Sequence, residues 1–265
     1  MDVYGDDLVF PMDYKPRSSL LARLNRRRVS MNKTAPINAP TQSIITFGFD
    51  DFPKSAADTG ADIIESIGAK AIFYACTGLA GKTSLTGEQY IDTDMLALER
   101  AGHEIGAHTH THLDCACAPK SSVIRNITKN LVELKEMGLH SPVDHFAYPY
   151  GETTIDLKRA LQDKFVTARG IRAGVNPKGA DRMQLAAMEL TPDTSTTTRT
   201  IAAIEKAAIV SCWLHIFTHD IQASPSPYGT TPNELRKIVK SARDSGVLVA
   251  TPREALLNFG TRFDV

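Results

Sequence analysis

Two short polar clusters hold the residues most able to do chemistry. Phe49-Asp50-Asp51 joins two carboxylates, and His108-Thr-His110-Thr-His112 sets three imidazoles within five residues. Each follows an apolar run of strand type. Carboxylate and imidazole together form a ligand set for a divalent cation such as zinc. A second carboxylate beside the first can serve as a base, so the combination points to a metal-activated water and hence to hydrolysis. In extended backbone Asp50 and Asp51 would face opposite ways. At a strand end the chain can turn, and both then reach one site with different tasks. On a helical turn His108 and His112 share a face, which gives a two-histidine site. In extended backbone His108, His110 and His112 align, which gives a three-histidine site. The HExxH spacing is absent, because His103 and His108 are five apart.

Two later segments add candidates. Phe146-Ala-Tyr-Pro-Tyr-Gly151 ends a strand in a turn fit to aim a backbone N–H at a developing oxyanion. Trp213-Leu-His-Ile-Phe-Thr-His219-Asp220 ends another. There His215 sits within the apolar run as a core histidine, and His219, at the mouth, is the general-acid candidate. Of the four cysteines, Cys115 and Cys117 lie just past the histidines. They lack the second Cys/His pair of a thiolate site, so a structural role is expected.

These residues need elements to position them. From residue 42 strands and helices alternate: strands at 43–49, 71–75, 104–107, 145–148, 165–168, 188–190, 213–218 and 247–250, and helices at 54–67, 92–101, 121–137, 155–161, 198–209, 231–242 and 254–257. Thr231-Pro-Asn-Glu234 reads as a capping box. Repeated strand–helix units predict a parallel sheet with helices outside, and the polar clusters follow their strands, where such folds gather their sites. Residues 1–40 differ, with scattered prolines and weak periodicity, and are read as an N-terminal arm; 41–265 form the domain. Within the arm, Arg17–Arg28 carries five arginines and no acid, with Leu20, Leu21 and Leu24 on one helical face. That pattern suits either peripheral contact with an anionic membrane or an arm packed along the domain.

The chain of 265 residues carries 30 Lys+Arg and 30 Asp+Glu, a formal net charge of zero. This balance gives no sign of a nucleic-acid partner. There is no apolar run of about 18 residues to span a membrane. Met1-Asp-Val-Tyr-Gly-Asp-Asp7 has neither the basic start nor the apolar stretch of a secretion signal, so a cytoplasmic location is expected.

The motifs resemble those of the polysaccharide deacetylases of the NodB-homology family, carbohydrate esterase family 4, over about residues 43–257. Ile45-Thr-Phe-Gly-Phe-Asp-Asp51 resembles the family's TFDD motif, and Gly102-His-Glu-Ile-Gly-Ala-His-Thr-His-Thr-His112 its GHEIGxH(T/S)xxH motif. Phe146–Gly151 resembles FRPPYG, and Leu214–Asp220 the last histidine motif. The resemblance implies a distorted (β/α)7 barrel. It makes Asp50 the base and Asp51, His108 and His112 the ligands of one divalent ion, zinc foremost, with cobalt, nickel or iron(II) as alternatives. The backbone N–H of Tyr150 becomes the oxyanion donor and His219 the acid. His110 falls at a variable position, which favours the two-histidine site.

Two departures stand out. The family's third-motif arginine, which holds the catalytic aspartate, is Ala147 here; Arg169 or Arg172 is expected to replace it, Arg172 being taken as the site residue. The Asp-x-x-Asp-Trp motif that supports the acid histidine is not recognisable, and Asp181 matches it poorly. The expected activity is metal-dependent removal of acetyl groups from N-acetylated sugars of an oligo- or polysaccharide. The overall pattern is similar to that of bacterial exopolysaccharide, holdfast-type deacetylases acting on lipid-linked intermediates. A dinuclear amidohydrolase-like barrel using His108 and His110, or an inactive saccharide-binding relative, are the alternative expectations.

Overall fold

The structure, a computed structural model, describes residues 19–259. The apolar run at 43–49 forms β1 (Ile44–Asp51), whose first seven residues are all buried. Burial on both faces is what a central parallel strand requires. On one side β1 pairs in parallel with β9 (Trp213–Thr218). On the other it meets β2 (Ile72–Ala75) along its second half and β10 (Leu248–Val249) along its first. The sheet continues from β2 through β5 (Glu104–Ala107) and β6 (His145–Ala147) to β7 (Thr167–Arg169), and from β9 to β8 (Ala187–Glu189). A parallel bridge between Arg169 and Leu185 brings the two edges together. The Gly170 N–H donates to the Leu185 carbonyl and the Leu185 N–H to the Ala168 carbonyl, both at 2.9 Å. The result is a nearly closed parallel barrel of the distorted (β/α)7 kind. A small antiparallel hairpin, β3 (Thr83–Ser84) with β4 (Gly87–Glu88), stands apart and has no counterpart in the sequence reading.

Helices α2 (Ala61–Glu65), α3 (Asp92–Ala101), α4 (Lys120–Glu136), α5 (Ile155–Leu161), α6 (Thr194–Ile209), α7 (Pro232–Asp244) and α8 (Pro252–Leu256) connect the strands. Several boundaries differ from expectation for local reasons. The helix expected at 54–67 opens as a wide π turn, Ala56–Gly60, in which Gly60 lies so close to Phe49 that a Cβ would sit 2.9 Å from its ring. Helix α6 begins four residues early, where the Asp193 carboxylate accepts from the Ser195 N–H at 2.9 Å. At Thr231 only half of the capping box forms: Thr231 Oγ1 accepts from the Glu234 N–H, while the Glu234 carboxylate pairs with Lys237. The reciprocal box forms instead at Thr251 and Glu254, ahead of α8.

The segment before the barrel is helical, as α1 (Leu20–Met31), and is fastened down. Lys158 on α5, fully buried, donates to the carbonyls of Val29 (2.9 Å) and Asn32 (2.7 Å) and pairs with Asp181 at 2.8 Å. Asp181 in turn accepts from the N–H groups of Thr34 and Ala35, each at 3.1 Å. A buried ammonium needs such a set of acceptors to offset its lost hydration. Asp181 therefore anchors the arm, which explains its poor match to a support for His219. Leu20, Leu21 and Leu24 face outward, and Arg17 lies outside the described residues. Among the described residues no helix is long and apolar enough to cross a membrane.

Strand register aligns the inner face of the barrel. Asp50 is level with Tyr74, and Tyr74 with Gly106. Glycine at 106 admits the tyrosine, since a Cβ there would lie 2.5 Å from its ring.

Candidate active site

Strand β1 delivers Asp50, buried, and then turns sharply. Asp51 (φ 62°) and Phe52 (φ 64°) both take left-handed backbone, which redirects Asp51 toward the same mouth. Asp51 Oδ1 lies 3.3 Å from His112 Nε2 and 3.6 Å from His108 Nε2. Tetrahedral ligands about 2.0–2.2 Å from an ion stand about 3.3–3.6 Å from one another. The three ligand atoms lie within 4.8 Å of one another, and no other such group of three His, Cys, Asp or Glu occurs among the described residues. Asp51 Oδ1 is buried without a hydrogen-bond partner, a cost that a cation would remove. His108 Nδ1 lies 2.8 Å from the Ala147 carbonyl. That contact makes Nδ1 the donor and leaves the Nε2 lone pair for a metal. Burial pushes the His108 pKa down to about 4, so the ring is neutral at pH 7, as a ligand must be. The donor set and its spacing fit a divalent ion of the zinc type.

The loop carrying the histidines is neither helical nor extended. Thr109 (φ 62°) and His112 (φ 53°) bend it, and Asn126 of α4 accepts from the N–H groups of His110 (2.7 Å) and Thr111 (3.1 Å). Asn130, one turn further on, donates to the Ala75 carbonyl and to Thr77 Oγ1. The sequence predicts a helix at 121–137, and these two asparagines, both buried, are the signal that it braces a loop. The bend turns His110 away, onto Glu133 Oε2 at 2.7 Å and Thr77 Oγ1 at 3.0 Å. The His108-x-His110 pair of a dinuclear centre therefore does not converge. His110→Ala is expected to retain one bound metal per chain by elemental analysis; loss of the metal would restore the three-histidine site.

Asp50 is held by Arg169, not by Arg172. An Nη2 of Arg169 donates to Asp50 Oδ1, and its Nη1 donates to the Gly170 carbonyl at 3.0 Å. The guanidinium also stacks over Phe217, 4.3 Å from the ring centroid, and over Tyr74 at 5.0 Å. The reason is register. Arg169 is the Cα partner of Ala147, so it enters the barrel at the same height one strand over. Arg172 is exposed, three residues past the strand, and does not join this cluster. Burial alone would raise the Asp50 pKa, but Arg169, with His108 and His219, outweighs it and holds the carboxyl below the usual range.

Tyr150 follows Pro149 in a left-handed backbone (φ 57°), and its ring meets His112 edge-on at 4.5 Å. His219 stands past the end of β9 with Nδ1 3.2 Å from the Tyr228 carbonyl. A backbone carbonyl thus takes the orienting place expected of a carboxylate. His215 is buried against Trp213, their ring centroids 4.4 Å apart, and burial drives its pKa well down, so it is a neutral core residue. Cys115 is buried, and all four cysteines are free thiols.

Residues 38–168 match the polysaccharide deacetylase family. They contain the two aspartates, the histidine loop and Tyr150. The chain carries a polysaccharide deacetylase domain. It is that of a hydrolase acting on amide or ester bonds. Solved structures share its fold. A family 4 acetyl xylan esterase from Clostridium thermocellum, solved with a cobalt ion, gives a TM-score of 0.60 at 20% identity, over 83% of this chain and 94% of its own. Chitin deacetylase from the fungal pathogen Colletotrichum lindemuthianum gives 0.56 at 13% identity, over 83% and 91%. A peptidoglycan N-acetylglucosamine deacetylase, in complex with an N-hydroxybenzamide, gives 0.61 at 16% identity, over 89% and 97%. At these identities the likeness is one of fold. No curated protein sequence matches the chain.

Proposed function

We propose that this deacetylase domain is a divalent-metal-dependent N-deacetylase, removing acetyl groups from N-acetylated amino sugars of a bacterial polysaccharide or its lipid-linked precursor. Synthesis of an exopolysaccharide, of holdfast type, is the setting we assign to it on the motif pattern. The observation that carries the activity is the meeting of two half-sites at one barrel mouth: Asp51, His108 and His112 within 4.8 Å, beside a buried Asp50–Arg169 pair. Asp51, His108 and His112 would hold a divalent ion, zinc by donor type, which when bound would supply the Lewis acidity that lowers the pKa of water toward about 7.

The chain's own groups do the rest. Asp50, kept ionised by Arg169, takes a proton from the water that attacks the acetamide carbonyl. The N–H of Tyr150 donates to the oxyanion, worth about 3–4 kcal/mol by analogy with single oxyanion donors. His219 gives a proton to the departing amine nitrogen. Base and acid contribute about 10²–10⁴-fold each. The products are acetate and a free amino sugar, with no covalent intermediate. Asp50, Arg169 and His219 together speak against an inactive relative, since the Arg169 pairing supplies what Ala147 lacks.

The test is acetate release from N-acetylglucosamine oligomers and lipid-linked saccharides, with metal counted per chain. Release that stops with chelator and returns with zinc, at one ion per chain, is expected. Two ions per chain would favour the dinuclear reading, and no acetate from any N-acetylated sugar would end the proposal.

A further inference from the structure

A cavity of about 620 Å³ lies between α1 and the loops that follow β6 and β7. Its size is within the usual range for ligand pockets, about 300–1,000 Å³. Arg26 and Arg27 line it from α1, Glu152 from the first loop, and Ile171 and Arg172 from the second. Both loops continue from segments that carry candidate site residues: Glu152 comes two residues after Tyr150, and Arg172 three after Arg169. Three arginines and one glutamate thus border it. Arg26 pairs with Glu152 at 3.0 Å, which consumes that charge. Arg27 and Arg172 are exposed and have no ion-pair partner among the described residues.

The walls of the cavity are fastened to the fold. Gly151 packs directly on the second loop, where a Cβ would come within 2.8 Å of the Ile171 backbone nitrogen. The Arg172 carbonyl accepts from the Ala187 N–H at 3.0 Å, tying that loop to β8. On the far wall, buried Lys158 fixes the end of α1 through two carbonyls. Both arginines are therefore carried on braced elements that border the cavity. Guanidinium forks match the paired oxygens of phosphate and carboxylate groups.

We propose that this cavity is a subsite for an anionic group, phosphate or carboxylate, carried by the saccharide chain whose acetamide sits at Asp50. The identity of the chain rests on the deacetylase reading; the preference for an anion does not. The substrate is then an acidic or phosphorylated glycan, and α1 is a wall of its binding site.

The test measures binding by calorimetry to the full chain, loaded with zinc, in the Asp50→Asn background so that no turnover intervenes. The ligands are a neutral N-acetylglucosamine tetramer, the same tetramer with a reducing-end phosphate, and an N-acetylated tetramer containing uronate. At least one charged tetramer is expected to bind about tenfold tighter than the neutral one, and which one does so identifies the group. In R27A/R172A the ratio falls to about one, and in Arg172→Lys it falls only partly. Equal affinities in the parent, or a ratio unchanged in the double variant, overturn the subsite. Vesicles of phosphatidylglycerol form a further arm: if the double variant loses vesicle binding but keeps its saccharide ratio, these arginines serve a membrane surface and the subsite is refuted. Acetate release from the Asp50 enzyme is assayed separately, so that failure of the deacetylase reading is told apart from failure of the subsite.

Discussion

Asp50→Asn is expected to lower acetate release by at least about 10²–10⁴-fold while the protein still binds one metal ion, because the variant loses the proton acceptor and keeps the three ligands. The division of labour proposed for the adjacent aspartates rests on the turn at Asp51. The left-handed backbone there sends one carboxylate to the histidines and leaves the other on the inner barrel face beside Arg169. Turnover of purified variant and parent, with metal counted in each, checks the assignment. Loss of metal together with activity would exchange the roles of Asp50 and Asp51.

Arg169→Ala is expected to be the most damaging substitution for stability, by about 3–5 kcal/mol, since it leaves a buried carboxylate without its counter-charge. It should also move the acid limb of the pH–rate profile upward. In the parent, Arg169 depresses the Asp50 pKa against the opposing effect of burial. Ionisation of Asp50 therefore favours the folded state above the ordinary carboxylate range, and that contribution is lost as pH falls through the lowered value. Without the guanidinium, burial dominates, the carboxyl holds its proton to higher pH, and the base is idle at pH values where the parent works. Denaturant unfolding and a pH profile of acetate release test both effects. Arg172→Ala is the comparison: a profile shifted by Arg172→Ala and not by Arg169→Ala would return the role to Arg172.

The sequence reading reached the architecture because the strands are buried apolar runs ending in polar residues, a pattern that needs no tertiary knowledge. Residue types and spacing point to a metal site among Asp50, Asp51 and the three histidines, and only the family resemblance singles out Asp51, His108 and His112, which the structure brings within 4.8 Å of one another. The sequence reading left two conformations open for residues 108–112 and the loop adopts neither, since its shape is set by Asn126 and Asn130 from a distant helix. It named Arg169 only as an alternative because the pairing with Asp50 spans 119 positions and depends on strand register. The anchoring of α1 was likewise illegible. A lysine in an amphipathic helix reads as solvated, and only the fold reveals that Lys158 is sealed against Asp181 and two carbonyls.

Ala147 and Arg169 face each other across neighbouring strands. In a closed ring of parallel strands, inward positions form tiers, and any member of a tier can present its head group to the same point on the axis. A missing charge in one staircase can thus be supplied from the next. What the chemistry requires is occupancy of the tier, not of a numbered place along the chain, and a motif read in one dimension will count as broken a ring that is whole.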